Sequence, residues 1–196
     1  MFKNILKHQW PQLSPALQRH YGIKEGEEIT MRGKLSVKHG LFIKLFMPLI
    51  RLTGALVPVE GENFTVIVKN KKEAGRFYWY RKFIKADEIY EFNSVMRQYD
   101  DTVVEFVGFG LGIRMGLKEK NSGLVYQDKG YVLKLGKRLI PVPVHLLMGR
   151  SIIEEFTSED SPHDIDMKFI VKHPWFGFLF SYMGYFNVDE VPLDNK

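Results

Sequence analysis

At 196 residues the chain is long enough for one domain with a full hydrophobic core, and 45% apolar with 26% charged residues is ordinary globular composition. The absence of cysteine excludes disulfides and thiolate metal sites, and a dispersed net charge of +5 permits contact with an anionic surface without demanding nucleic acid. The N-terminus, MFKNILKHQWPQL, lacks the apolar stretch and small-residue exit of a secretory signal, so a cytoplasmic location is expected.

Residues 1–21 read as helical, interrupted at Pro11 and Pro15. Ser14 is a good N-cap and Pro15 suits the first helical position, which predicts a short N-terminal helix over 15–20, docked by Leu13 and Leu17 and ended by Gly22. Residues 27–39 alternate, with Ile29, Met31, Gly33, Leu35 and Val37 on one face and cations and hydroxyls on the other: a half-buried strand.

The longest apolar run follows at 41–59. Phe42, Leu45, Phe46, Leu49, Leu52 and Leu56 recur at helical spacing, and Pro48 predicts a kink or two short helices meeting near Met47. Lys44, Arg51 and the proline interrupt the run, and a spanning helix needs about 20 apolar residues, so a membrane span is rejected. Two readings stay open: a helix buried under a sheet, or a helix that leaves part of its surface to a lipid or a membrane interface.

Strands are then expected over 64–69, 76–85, 88–98 and 102–109, with turns at NKKEAG (70–75) and at Tyr99-Asp100-Asp101. Glycines 108, 110, 112 and 116 punctuate a strand running toward Lys118, as a strongly curved sheet would require. Asn121-Ser122-Gly123 and Asp128-Lys129-Gly130 read as turns bounding strands 124–127 and 131–135. Pro141 and Pro143 are expected to break the sheet, and 144–148 to form a helical turn. Strands at 151–156 and 165–172 are expected to flank an acidic turn at 158–161, residues 175–186 to form a closing strand or an extended clasp, and 188–196 a loose tail. Some ten strands in hairpin order mean antiparallel pairing, and a sheet of that size usually curls or closes. The expected fold is a single α+β domain over 1–196, mainly β. In it a curved antiparallel sheet, a half-open barrel, wraps the central apolar helix of 41–54.

Few residues carry chemistry. GFGLG does not match a dinucleotide fingerprint and ends in a strand pattern. The histidines lack metal-ligand spacing, and Asp160, His163, Asp164 and Asp166 read as a solvated loop, so no metal and no cofactor is expected. Phe77-Tyr78-Trp79-Tyr80 alternates faces and is better explained by strand composition than by base stacking, so nucleic acid is not an expected partner. No serine has a GxSxG context, so catalytic residues are not assigned and a non-enzymatic role is favoured.

Arg81 is the informative residue. It shares a face with Phe77, Trp79 and Phe83, and if that face points inward the guanidinium must be paired, with Glu91 or Glu105 as partners. It is then either a structural ion pair packed on aromatics or an anchor for an anionic head group in an apolar pocket. Arg114 and Arg150 are lesser candidates of the same type.

Short motifs in a set order carry a resemblance: LSPALQ (13–18) with His20, VPV (57–59), Trp79-x-Arg81-x-Phe83, GIRMG (112–116), IPVP (140–143), Glu154, Pro174 with Gly177, and Tyr182-x-Gly184. Over nearly the whole chain this resembles the domain-of-unknown-function family numbered 4166. The resemblance implies a domain that occurs alone or C-terminal to a saccharopine-dehydrogenase-like Rossmann domain, with no catalytic residues to carry over. These residues hold no Rossmann half, so an oxidoreductase link is expected to run through a separate Rossmann-type partner. The leading expectation is a binder of a lipid-like or other apolar ligand, with Trp79, Arg81, Phe83, Phe42, Phe46 and Arg114 at the site. The alternatives are an accessory or self-associating module and an enzyme on a hydrophobic substrate; a membrane surface is admitted as a partner.

Overall fold

Alternating side chains turn eleven segments into strands: β1 (Glu28–His39), β2 (Gly61–Glu73), β3 (Arg76–Lys85), β4 (Glu88–Tyr99), β5 (Thr102–Phe106), β6 (Leu111–Lys120), β7 (Gly123–Leu135), β8 (Arg138–Val142), β9 (Arg150–Phe156), β10 (Ile165–His173) and β11 (Gly177–Val188). The structure is a computed structural model that describes residues 1–45, 47, 57–157 and 162–189. Every pairing is antiparallel, and the strands pair in chain order, except that β9 pairs with β7 and not with β8, until β11 returns to β1. Ten strands therefore close into an up-and-down barrel, with β8 attached to β7 alone. A meander that is antiparallel throughout closes only with an even number of strands, because its first and last must run in opposite directions.

The expected half-open sheet is thus a closed barrel, because the β1–β11 ladder runs from Met31↔Val188 to His39↔Phe180 and leaves no gap. Nor does the described part of the apolar run act as a central helix. Residues 41–45 form a helical turn, α3, in the β1–β2 connection, with Leu41 87% and Leu45 76% exposed while Ile43 is buried. The rest of the expected helix, residues 46 and 48–54, lies outside the described residues.

β7 explains two other departures. One edge pairs with β6; the other is shared end to end by β9, on Leu124–Gln127, and β8, on Tyr131–Leu135. Asp128-Lys129-Gly130 is therefore a bulge inside one long strand, with Gly130 at φ +96°, and not a turn between two. Pro141 sits within β8 and does not end it, because β8 has an unpaired edge that tolerates a missing N–H. Smaller corrections concern limits. Residues 70–73 belong to β2, and the turn narrows to Ala74-Gly75 at positive φ. β5 stops at Phe106, before a 3-10 turn Gly108–Gly110. At the C-terminus, Val188 is strand and Asp189 pairs with Arg32, so the tail is tied down as far as Asp189.

The two barrel ends differ. One is plugged by the N-terminal segment: α1 (Phe2–Leu6), a 3-10 turn (Lys7–Gln12) and α2 (Pro15–Tyr21). As expected, Ser14 caps α2, its Oγ accepting from Leu17 N, and its own N–H donates to Ser122 O in the β6–β7 turn. Phe2, Leu6, Leu17 and Tyr21 are buried there. The other end, the mouth, carries α3, the β3–β4 turn, the Gly108–Gly110 turn, a short helix α4 (His145–Met148) and the β10–β11 turn. The outer wall is charged and ion-paired, as in Lys82–Glu91 (3.1 Å) and Lys69–Glu28 (2.7 Å), while the inner face is apolar. That is the pattern of a wall facing water, the reverse of a lipid-facing barrel.

Closure rests on two glycines at the seam. A Cβ on Gly33 would land on the Tyr185 carbonyl oxygen, and one on Gly184 on the Lys34 carbonyl oxygen, so β1 and β11 approach more closely there than side chains permit. Gly184→Val is predicted to destabilise by about 1–3 kcal/mol or more, which at ~2–4 °C per kcal/mol lowers Tm measurably. Met183→Ala, exposed on the neighbouring position, should leave Tm nearly unchanged.

Candidate functional site

Strand alternation aims Phe77, Trp79, Arg81 and Phe83 of β3 into the barrel, as does Ile153 with Glu155 on β9. Eight strands enclose little more than their own side chains, and a wider barrel leaves room. Here the room is an interior cavity of ≈ 290 Å³. It runs from Tyr126 and Glu155 near the plug to Val144 and Met148 beneath α4 at the mouth, past Val66, Met96, Met115 and Phe169. Its volume is at the low end of small-molecule pockets, ~300–1,000 Å³, and its wall is apolar apart from a few groups.

Arg81 is one of those groups, and it is paired. Its Nη2 donates to Glu105 Oε1 at 2.9 Å, its Nη1 to Ser94 Oγ at 2.9 Å, and Ser94 Oγ donates to the same Glu105 oxygen at 2.5 Å. The guanidinium lies 4.4 Å from the centre of the Trp79 ring and 5.0 Å from that of Phe92. Glu105 is thus the partner and Glu91 is not: it faces outward and holds Lys82. The cation is balanced before any ligand arrives.

Nearer the plug lies a second group that sequence reasoning missed. Tyr21 Oη, reaching in from α2, donates to Glu155 Oε2 at 2.6 Å and is in turn hydrogen-bonded to Tyr126 Oη. Burial raises the Glu155 pKa to about 7, and the charge of Glu105 adds to the rise, while the Tyr21 hydrogen bond and Arg81 oppose it. Burial also pushes both tyrosines well above their ordinary value. A carboxyl poised near neutrality can donate or accept a hydrogen bond at the cavity wall. The available signal was a carboxylate on the apolar face of β9, in step with Ser151 and Ile153.

Trp79, Arg81 and Phe83 therefore come together at the cavity. Phe42 does not; it stacks on Phe176 at the mouth, ring centres 3.9 Å apart. Arg114 lies on the outer face of β6 opposite Val104, away from the cavity-lining Ile113 and Met115. Phe46 lies outside the described residues. Among the described residues there is no group of three or more side chains suited to holding a metal ion. No helix among them is long and apolar enough to cross a membrane.

Two predictions follow from the buried charges. Glu105→Gln leaves Arg81 unpaired and should cost ~3–5 kcal/mol in urea denaturation, whereas Arg81→Met with Glu105→Leu, which removes both charges, should cost far less. For Glu155 the folded pKa stands above the ordinary 4.5, so the stability it contributes is complete below 4.5 and is lost as pH rises through about 7. Glu155→Gln should therefore match the wild type near pH 4.5 and exceed it at pH 8, by on the order of 3 kcal/mol in the same assay.

Comparison with known proteins places these features in a family. The family described as Domain of unknown function (DUF4166) matches residues 13–186, from Leu13, just before the cap of α2, to Phe186 near the end of β11, and the chain belongs to it. No curated protein and no solved structure matches the chain.

Proposed function

We propose that this member of the DUF4166 family is a binding domain that holds a small apolar or lipid-like molecule inside the barrel. The observation that supports the reading is the interior cavity itself, walled by aliphatic and aromatic side chains from β1 to β11. A fold built only to be stable would fill such a space, since each unfilled volume forfeits packing contacts.

The polar wall narrows the ligand class. Arg81 and Glu105 cancel, and Glu155 is neutral or negative near pH 7, so the interior offers no unbalanced positive charge. This argues against the carboxylate or phosphate head group that an unpaired Arg81 would have suited. A ligand with a hydroxyl, carbonyl or amide fits better, its polar group meeting Glu155 and Tyr126 and its apolar body lying along Met96, Met115 and Phe169.

N-phenyl-1-naphthylamine, a neutral apolar fluorophore, tests this. Saturable one-to-one binding with enhanced emission is expected. Met115→Trp, which puts an indole into the cavity, should weaken it at least tenfold while circular dichroism stays unchanged. Absence of saturable binding, or equal binding by Met115→Trp, contradicts the cavity reading.

A further inference from the structure

The mouth of the barrel exposes what the rest of the surface hides. Most of the large apolar side chains exposed among the described residues lie at this end, on separate connections: Leu41 (87% exposed), Phe109 (83%), Trp175 (76%) and Leu146 (52%), with Phe176, its ring stacked on Phe42, and Ile140 partly exposed as well. At the plugged end only Phe156 belongs to that group. Such a concentration marks an interaction surface.

Charge says what covers it. Lys137 and Arg138 on the β7–β8 turn, Arg150 at the start of β9 and Lys172 near the end of β10 are all exposed, and none has an ion pair among the described residues. Asp128, the carboxylate of this sector, is engaged by the Gly130 and Ser151 amides. The acidic residues of the mouth belong to other sectors, Glu60 and Glu62 at the start of β2 and Asp87 with Glu88 at the β3–β4 turn. Glu60 is held by Lys44 at 2.6 Å.

Arg150 and Lys172 are directly paired across β9 and β10 and line a cleft with His145, Leu146 and Trp175. The cleft is built rigidly. His173 is buried; its Nε2 donates to Leu146 O at 2.8 Å, and its Nδ1 accepts from the Trp175 and Phe176 amides at 3.1 and 3.2 Å, tying α4 to the β10–β11 turn.

We propose that this sector of the mouth docks on a bilayer containing anionic phospholipid, with Leu146, Trp175 and Phe176 entering the interface and Arg150 with Lys172 holding a lipid phosphate. Exposed tryptophan and aliphatic side chains suit the depth of the head groups, and unpaired cations around them suit a negative surface. Arginine beside lysine is a good phosphate clamp. The inference adds a partner to the cavity reading, and rests on that reading only for why the mouth, and not the wall, faces the lipid.

The test uses the full chain and vesicles of phosphatidylcholine with or without phosphatidylglycerol. Trp10 and Trp79 are buried, so Trp175 dominates the solvent-exposed emission. Cosedimentation with the anionic vesicles alone is expected, with a blue shift, quenching by brominated acyl chains and weakening at high salt. Arg150→Glu with Lys172→Glu should reduce binding at least tenfold, and Trp175→Ser with Leu146→Ser should reduce it comparably. Met115→Trp should bind vesicles as the wild type does, which separates failure of docking from failure of the cavity reading. Equal binding by the charge-reversed variant, no binding to anionic vesicles at low salt, or a stable dimer that shields Trp175 from iodide would each overturn the proposal.

Discussion

Everything in this molecule follows from one closure: β11 lies antiparallel against β1 and turns a meander into a tube. Before closure the sheet would have two open edges, each a row of unpaired amides and carbonyls that templates aggregation. After closure those groups are paired and the circumference is set by strand number and shear. The seam can form because Gly33 and Gly184 lack the side chains that would hold the two backbones apart.

Closure sets a volume that side chains must fill or leave. Large aromatics fill much of it toward the plug, where Phe2, Tyr21, Phe77 and Trp79 stack edge to face or tilted around His20. Burial drives the His20 pKa down to about 3, so this imidazole stays neutral and behaves as one more packed ring. Beyond it the wall is lined with Met31, Met96 and Met115, flexible side chains that adapt to an irregular guest. The charged groups inside are paired, Arg81 with Glu105 and Glu155 with Tyr21, while Trp79 Nε1 and Asn70 Oδ1 have no hydrogen-bond partner among the described residues; the interior is thus polar at points and uncharged in sum when Glu155 is protonated.

Much of this was legible in the residues. Period-two alternation in β1 assigned the inward face, because one face is apolar and the other polar, whereas in β3 it grouped Phe77, Trp79, Arg81 and Phe83 on one face without saying which face points inward, since both carry aromatics. Arg81 on an apolar face required a partner, and Glu105 is that partner. What alternation could not show was topology: whether a curved sheet stops short or meets itself depends on long-range register, which no local pattern encodes. The bulge at Lys129-Gly130 mimicked a turn because both use glycine at positive φ, and only pairing with β6 on one side and β8 with β9 on the other tells them apart. The face of Arg114 was not legible, because glycines at 112 and 116 erase the apolar alternation that would have set it. Glu155 escaped notice because its acidic neighbour Glu154 makes the pair look like an exposed stretch. In fact Glu154 faces Lys168 outside and Glu155 faces Tyr21 within.

The central claim is that the closed barrel keeps an apolar hollow at its centre. Apolar cavities take up xenon, so diffraction from xenon-pressurised crystals addresses it directly. The account predicts an anomalous peak inside the barrel, among Met96, Met115 and Ile153. Density showing those side chains in mutual contact, with no xenon within the strands, would contradict it.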